Sequence, residues 1–403
     1  MEKEHLLFLV HRIPYPPNKG DKIRSWHILQ NLSEVYHVHV GGFIDHEPDW
    51  VYVPTIAAIT KSHCFLPLKP LQAKIRSLKA LITGKSLTEY YFFDERLAEW
   101  VEEMRTMHHI KKVFVFSSGM ASYIMNEGWI DAIKVMDFVD VDSDKWAQYA
   151  MQKSFPLSWI YRREGRKLQS FEKKIAQFCT ASLFVSEKER NFFLSQNPDL
   201  KMKTVKAVMN GVDLSFWDWE LSFPSPYPEG KEVIVFSGAM DYWPNIDAVT
   251  WFCQDVMPML RNVLPNVLFA IVGSNPSPDV KALVNEGNIL VTGSVTDIRP
   301  YISHAKVSVA PMRVSRGIQN KVLEAMVMGK PVIATHLALS ALEDLSCEAM
   351  TADEPAKFRD SVLKLLNDGA QQEKIGKKAR LFIQKNYSWD LSHRVIRALF
   401  ENK

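Results

Sequence analysis

Leu6-Leu7-Phe8-Leu9-Val10 is an unbroken apolar run, and together with the loop and helix after it this run decides the fold. The run is too short for a buried helix and does not alternate. That fits a strand covered on both faces of a parallel sheet. A polar loop from His11 to Asp21 comes next, then a stretch with Ile23, Trp26, Ile28 and Leu29 as core contacts of a helix. The same rhythm repeats along the chain. Strands are predicted at Leu6–Val10, Val38–Phe43, Val113–Phe116, Lys134–Phe138, Ala181–Val185 and Val205–Val208. A second series is predicted at Val233–Ser237, Val267–Val272, Asn288–Val291, Lys306–Val309 and Pro331–Ala334. Helical patterns separate most of them, so the fold class is α/β with two doubly wound domains.

Asn210-Gly211 is a turn signal, and Phe216 to Lys231 holds Pro224, Pro226, Pro228 and Gly230, the composition of a linker. Helical spacing at Ala356–Leu366, Ala370–Lys385 and Trp389–Phe400 closes the chain, with Ser388 placed to cap the last helix. This predicts domains at 1–215 and 216–385 and a final helix at 386–403, which by pattern alone can pack on either domain.

Among the 403 residues, 47% are hydrophobic and 24% charged, which excludes a disordered chain and a disulfide-stapled miniprotein. Lys plus Arg total 49 against 46 Asp plus Glu, too even for a nucleic-acid binder. No apolar run reaches the ~18 residues of a spanning helix, and Leu6–Val10 is too short for a signal peptide. The expectation is a cytoplasmic protein. Cys64, Cys179, Cys253 and Cys347 lack CxxC spacing, and the twelve His residues show no ligand spacing, so no metal is expected.

Ligands of open α/β sheets bind beyond the carboxyl ends of the strands. After the first strand, Lys19, Gly20, Asp21, Lys22 and Arg24 put charge and a glycine at a helix N-terminus, which suits an anion. A proline-stiffened surface loop is the plain alternative, and with no GxGxxG a dinucleotide site is not expected. After Val233–Ser237, Gly238 permits close backbone approach and Pro244 suits the first helical position. The richest segment runs from Ala310 to Met326, with a helix predicted from near Gly317 to Gly329. Arg316 and Lys321 stand at its start, where cations are unfavourable unless an anion joins them. Glu324 is placed to accept hydrogen bonds from ligand hydroxyls. A solvated helix with a Lys–Glu pair is the alternative. Asp137 ends a strand and is a candidate for an acceptor hydroxyl. The run Asp140, Asp142, Asp144 fails as a calcium loop, because its sixth and twelfth positions hold Lys145 and Met151. Two basic stretches, Lys61–Lys85 and Lys153–Lys174, the second interleaved with aromatics, suit an anionic membrane surface as well as a solvated face.

Gly317 to Thr335, together with Asn210-Gly211-Val212-Asp213, Val272-Gly273-Ser274 and Gly293-Ser294-Val295 with Asp297, resembles the donor-site signature of glycosyltransferase family 4, the glycosyl transferase group 1 enzymes. His11–Pro17 and Ser237–Asn245 look closest to the exosortase/PEP-CTERM-associated bacterial branch, tied to exopolysaccharide loci. The resemblance implies a GT-B fold, two Rossmann-like domains facing a cleft, with the last helix crossing back to the first. It implies a retaining, metal-independent glycosyltransferase acting on a glycan or lipid-linked acceptor, peripheral on the inner membrane face. The co-substrate would be a UDP- or GDP-sugar. Gly238, Asp241, Asn245, Gly273 and Val295 would bind the donor. So would Arg316, Gly317, Ile318, Lys321 and Glu324. Glu324 would hold the ribose and Lys321 and Arg316 the diphosphate. With Asp137 these last three form the catalytic set, and Lys19, Gly20, Asp21 and Arg24 would meet the acceptor. The chain departs from the pattern at two places. Arg316 stands where the family usually has Glu, and Gly238-Ala239-Met240-Asp241 lacks the usual Arg and Lys. A sugar-nucleotide epimerase of the same fold and a non-catalytic nucleotide-binding partner are the alternatives.

Overall fold

The computed structural model describes residues 3–401 except 152, 201–202, 285–286, 316–317, 343–344 and 346–347. It divides into two compact units. The first runs through Met209 and takes up the chain again from Ser392; the second is Asn210–Leu391.

Unit 1 is built on seven strands: β1 His5–Val10, β2 His37–Ile44, β3 Ser62–Pro67, β4 Lys112–Phe116, β5 Ile133–Val139, β6 Ala181–Phe184 and β7 Thr204–Ala207. Their spatial order is β3-β2-β1-β4-β5-β6-β7, with every neighbouring pair parallel. Leu7 and Leu9 enter one core with Val113, Val115 and Met136. Leu6, Phe8 and Val10 enter the other with Phe114 and Phe116. Period two thus feeds both faces, which explains the continuous apolar run. Ile396, Leu399 and Phe400 of the last helix, Trp389–Glu401, belong to the second core.

Unit 2 carries β8 Glu232–Ser237, β9 Val267–Val272, β10 Ile289–Val291, β11 Val307–Ala310, β12 Val332–Ala334 and β13 Met350–Thr351. The order is β10-β9-β8-β11-β12-β13, again all parallel. Val233 and Val235 pack on one face with Leu268 and Ala270. On the other, Phe252 meets Phe269 and Phe358 at ring-centroid separations of 4.6 and 6.0 Å.

Each sheet therefore reverses its winding once, between β1 and β4 in unit 1 and between β8 and β11 in unit 2. All eleven predicted strands are present within two residues at each end. Two edge strands, β3 and β13, lie outside the predicted set. The expected boundaries at 215/216 and 385/386 both fall inside unit 2. There Val212 N donates to Tyr387 O at 2.7 Å, and a Cβ on Gly211 would lie 2.4 Å from Trp389 N, so the two crossing segments are laced together.

Candidate active site

The winding reversal of unit 2 opens a crevice at the carboxyl ends of β8 and β11, and the loops after these two strands flank it. The first loop begins at Gly238 (φ +154°), and the loop after neighbouring β9 at Gly273 (φ +153°). A Cβ on Gly273 would lie 1.7 Å from Gly238 O, so these two backbones touch only because neither carries a side chain. A Cβ on Gly238 would meet Asn245 Nδ2 at 2.7 Å and Lys321 Cε at 3.5 Å.

Asn245 sits in the first turn of the helix Trp243–Trp251 and bridges both loops. Its Nδ2 donates to Ala239 O at 2.9 Å, and its Oδ1 accepts from Lys321 Nζ at 2.6 Å. Lys321 is the second residue of the helix Asn320–Val327. That helix starts three residues later than predicted from Gly317, because Gln319 is still extended (φ −85°, ψ 103°). Lys321 Nζ also lies 3.6 Å from Met312 Sδ and 4.5 Å from the Phe236 ring centroid. Burial pushes its amine down to about 7. Glu324 follows one turn later. Burial pushes its carboxyl up to about 7, against the pull of Lys321. No described residue donates a hydrogen bond to it. The cation and the carboxylate are both left with polar capacity.

The remaining donor candidates lie around this point. Asp241 is exposed and accepts from Asn275 Nδ2 at 3.2 Å. Val295 is half-buried against the core of β8 and β9, and Ile318 is half-buried just before the helix. Arg316 and Gly317 lie outside the described residues. Met312 and Thr335 are site residues that the sequence pattern alone does not single out. Thr335 Oγ1 donates to Met312 O at 2.7 Å and so fixes the loop beneath Lys321; its position after an apolar strand and before a short helix is the cap signal that could mark it.

In unit 1, Lys19 and Gly20 are exposed at the start of the helix Gly20–Val35. Asp21 accepts from Arg12 Nη1 at 2.9 Å and stands 3.4 Å from His11 Nε2. Burial works against the Asp21 charge, but the His11 hydrogen bond and the Arg12 cation outweigh it and hold the carboxyl well below its usual range. His11 stacks on Phe116 beside the winding reversal, and its Nδ1 is buried without a hydrogen-bond partner among the described residues. Arg24 and Asp137 find each other from 113 residues apart. Arg24 Nε donates to Asp137 Oδ2 at 2.7 Å and Nη1 donates to Val208 O at 2.6 Å, and neither side chain has exposed surface. Val139, two residues past Asp137, has φ +67°, and its N donates to Asp137 Oδ1 at 3.1 Å. Lys145 neutralises the acidic run, 2.9 Å from both Asp140 and Asp142. A cavity of about 240 Å³ lies near the carboxyl ends of β2 and β3, lined by Phe43, Leu68, Lys69, Arg76, Asp94 and Arg96 among others.

Residues 231–368 match a family described as glycosyl transferases group 1. No curated protein sequence matches the chain. Solved structures of similar fold include sucrose-phosphate synthase from Thermosynechococcus elongatus, with TM-score 0.68, 14% identity and coverage of 99% of this chain and 98% of that one. HepE from Anabaena, in complex with UDP and glucose, gives 0.66 and 13%, covering 99% of each chain. WaaG, a glycosyltransferase involved in lipopolysaccharide biosynthesis, gives 0.64 and 14%, covering 98% and 100%. At such identities the likeness speaks for the fold, and that fold is the GT-B class of two Rossmann-like units. The family match lies within unit 2, and the neighbours show the fold of the whole chain.

Proposed function

We propose that the chain is a retaining, metal-independent glycosyltransferase. It moves a sugar from a UDP- or GDP-sugar to a glycan or lipid-linked acceptor, in bacterial exopolysaccharide or cell-surface glycan synthesis. The observation that carries this reading is Lys321, a buried cation at the winding reversal of unit 2 whose acceptors among the described residues are all neutral. A buried unpaired charge is costly, and a diphosphate would relieve it. The half-open carboxylate of Glu324 suits a ribose diol. HepE, solved with UDP and glucose, supports a nucleotide-sugar donor on this fold.

In the transfer, the bond from the anomeric carbon to the diphosphate breaks and the electron pair leaves with the phosphate. Lys321, with Arg316 beside it in sequence, stabilises that developing charge, an effect worth about 3–4 kcal/mol for one well-placed donor. The acceptor oxygen forms the new bond as its hydroxyl proton passes to the departing diphosphate oxygen. Lys19, Gly20 and Asp21 are our acceptor-binding set, with the buried pair Arg24–Asp137 holding their helix in place. The His11–Pro17 and Ser237–Asn245 segments support the exosortase-associated branch.

A membrane surface is supported by unit 1. Leu71, Ile75, Leu78 and Ile82, 54–91% exposed, project from the helices Pro70–Ser77 and Lys79–Thr83 among Lys74, Lys79 and Lys85. Phe155 and Trp159, 81% and 52% exposed, stand at the start of Leu157–Phe178, whose Arg163 donates to Ala80 O at 2.5 Å. Lys69 and Arg76, at the base of the same helical segment, line the cavity, which suits the charged head of a lipid-linked acceptor. No helix among the described residues is long and apolar enough to cross a membrane. Cys64, Cys179 and Cys253 are free thiols, which favours the reducing, cytoplasmic side.

The test is donor turnover across a panel of UDP-, GDP- and ADP-sugars, with and without membrane extract, for wild type beside Lys321→Ala and Glu324→Ala. Nucleotide release from one donor, raised by extract and lost in both variants, is expected. Release without any acceptor, with the sugar inverted at one carbon, would point to the epimerase. Binding without release would make the chain a non-catalytic partner.

A further inference from the structure

The opposite edge of the unit 1 sheet holds a cluster that glycosyl transfer does not use. His5 opens β1, His37 opens β2, and the two are register partners; His39 lies two residues further along β2. Period two turns all three to the face covered by the helix Glu95–Met107. His108 directly follows that helix, and its ring lies 4.6 Å from His5 and 4.4 Å from His39, centroid to centroid. One ring nitrogen from each of His5, His39 and His108 falls within 4.8 Å of the other two.

The hydrogen bonds already orient the central ring. Ser62 Oγ donates to Met104 Sδ at 3.4 Å and lies 2.7 Å from His39 Nδ1, so it accepts the Nδ1 proton. The lone pair of His39 is then on Nε2, which faces His5 Nδ1 at 2.8 Å. A ligating imidazole is commonly held this way, its second nitrogen spent on an outer partner.

We infer that His5, His39 and His108 form a binding site for a first-row divalent transition cation, with Zn2+ foremost and a water in the fourth position. The donors are imidazoles alone, a set that suits Zn2+, Ni2+, Co2+ and Cu2+ and not Mg2+ or Ca2+. Zinc–nitrogen bonds of about 2.0 Å place tetrahedral ligands about 3.3 Å apart. The His5–His39 separation needs to open slightly and His108 to swing in, and both outer rings are only half-buried. The ion would tie β1, β2 and the end of a helix together, so its role is to brace unit 1 rather than to take part in transfer.

The experiment uses the full chain stripped by a chelator and titrated with Zn2+, with Mg2+ as control and Co2+ as a spectroscopic probe. One Zn2+ per chain, a raised Tm and the visible bands of tetrahedral Co2+ are expected, with Mg2+ inert. His5→Gln and His108→Gln, both outside the core, should each weaken Zn2+ binding about tenfold or more, while leaving the metal-free Tm unchanged. His37→Gln should bind as wild type. Absence of saturable 1:1 binding overturns the site. So does binding that survives in the His5→Gln/His108→Gln double variant, or that is lost in His37→Gln alone. None of these readouts depends on transferase activity.

Discussion

Lys321 Nζ donates to the side-chain oxygen of Asn245 at 2.6 Å, and among the described residues no carboxylate stands within ion-pairing distance of it. Such a lysine costs stability in the empty protein, and under the proposed function a bound diphosphate offsets that cost. Lys321→Met should therefore act with opposite signs on two measurements. The empty protein should become more stable, by about 1–2 kcal/mol in a denaturant titration, since apolar replacement of buried charge is often stabilising. Nucleotide-sugar turnover should fall by about 10²–10³, the cost of losing one preorganised donor to a developing anion. Loss of both stability and activity would make Lys321 a structural residue.

The same lysine makes nucleotide binding pH-dependent. With its amine pushed down to about 7, Lys321 is mostly neutral at pH 8, and a diphosphate must recharge it. Binding should then take up a proton, and affinity should weaken by up to tenfold per pH unit above about 7. Glu324, pushed up to about 7, works the other way: as a carboxylate gripping hydroxyls it releases a proton on binding. Glu324→Gln removes that opposing release. Calorimetric titration of UDP into Glu324→Gln, in two buffers of different ionisation enthalpy, should show uptake at pH 8. Adding Lys321→Arg, whose charge does not titrate, should abolish it.

Gly273 tests the backbone cradle. At φ +153° with Gly238 O 1.7 Å from the place of a Cβ, Gly273→Ala is both strained and blocked. Backbone strain alone costs about 1–3 kcal/mol, and the clash must also part the β8 and β9 loops. Gly230, at φ +73° with nothing within 4 Å of its Cβ position, is the control. Gly230→Ala should lower Tm modestly and spare nucleotide binding. Gly273→Ala should lower Tm further and remove binding.

Most of the parallel strands are legible in the sequence because they are apolar runs buried on both faces, as in β1 and β9. Ser62-His63-Cys64-Phe65-Leu66-Pro67 is not, because in this edge strand only Phe65 is buried and no residue is β-branched. β13 is two residues long and has no pattern to read. Within the site, Lys321 and Glu324 are legible from their place on a helix after a strand. Asn245 as the lysine's acceptor is not, since only the winding of the sheet brings the loop after β8 to the helix after β11; Met312 beneath Lys321 and His11 beside Asp21 follow the same strands as their partners, and the pattern does not show how those segments fold back. The three clustered imidazoles are the extreme case: His5, His39 and His108 have no common spacing, and their meeting is a consequence of strand register.

Glu172 carries a stability prediction for unit 1. Fully enclosed, with Ser143 N and Oγ donating to it at 3.0 and 2.6 Å, its carboxyl is pushed up from 4.5 to about 8 by burial. Between these values the folded chain holds a proton that the unfolded chain has released. The contribution is thus complete below about 4.5 and is lost as pH rises through about 8. Glu172→Gln keeps an acceptor for Ser143 but cannot titrate. Denaturant titrations from pH 5 to 8.5 should show wild-type stability declining more steeply with pH than that of Glu172→Gln.

Arg24 and Asp137 meet with no exposed surface, and Arg24 also donates to Val208 O at 2.6 Å. The pair joins the helix after β1 to the end of β5 and to the residue after β7, so it fixes the carboxyl edge from which Lys19 and Gly20 project. Removing one partner strands the other charge in the interior, which costs about 3–5 kcal/mol. Asp137→Ala and Arg24→Met should each approach that loss in a denaturant titration. The double variant Arg24→Met/Asp137→Leu should recover much of it, because the desolvation penalty vanishes with both charges. If the pair only holds the helix, acceptor KM should rise in the double variant while donor binding to unit 2 stays as in wild type. A double variant as unstable as Asp137→Ala would mean that the hydrogen bond to Val208 O, not the ion pair, is what the fold requires of Arg24.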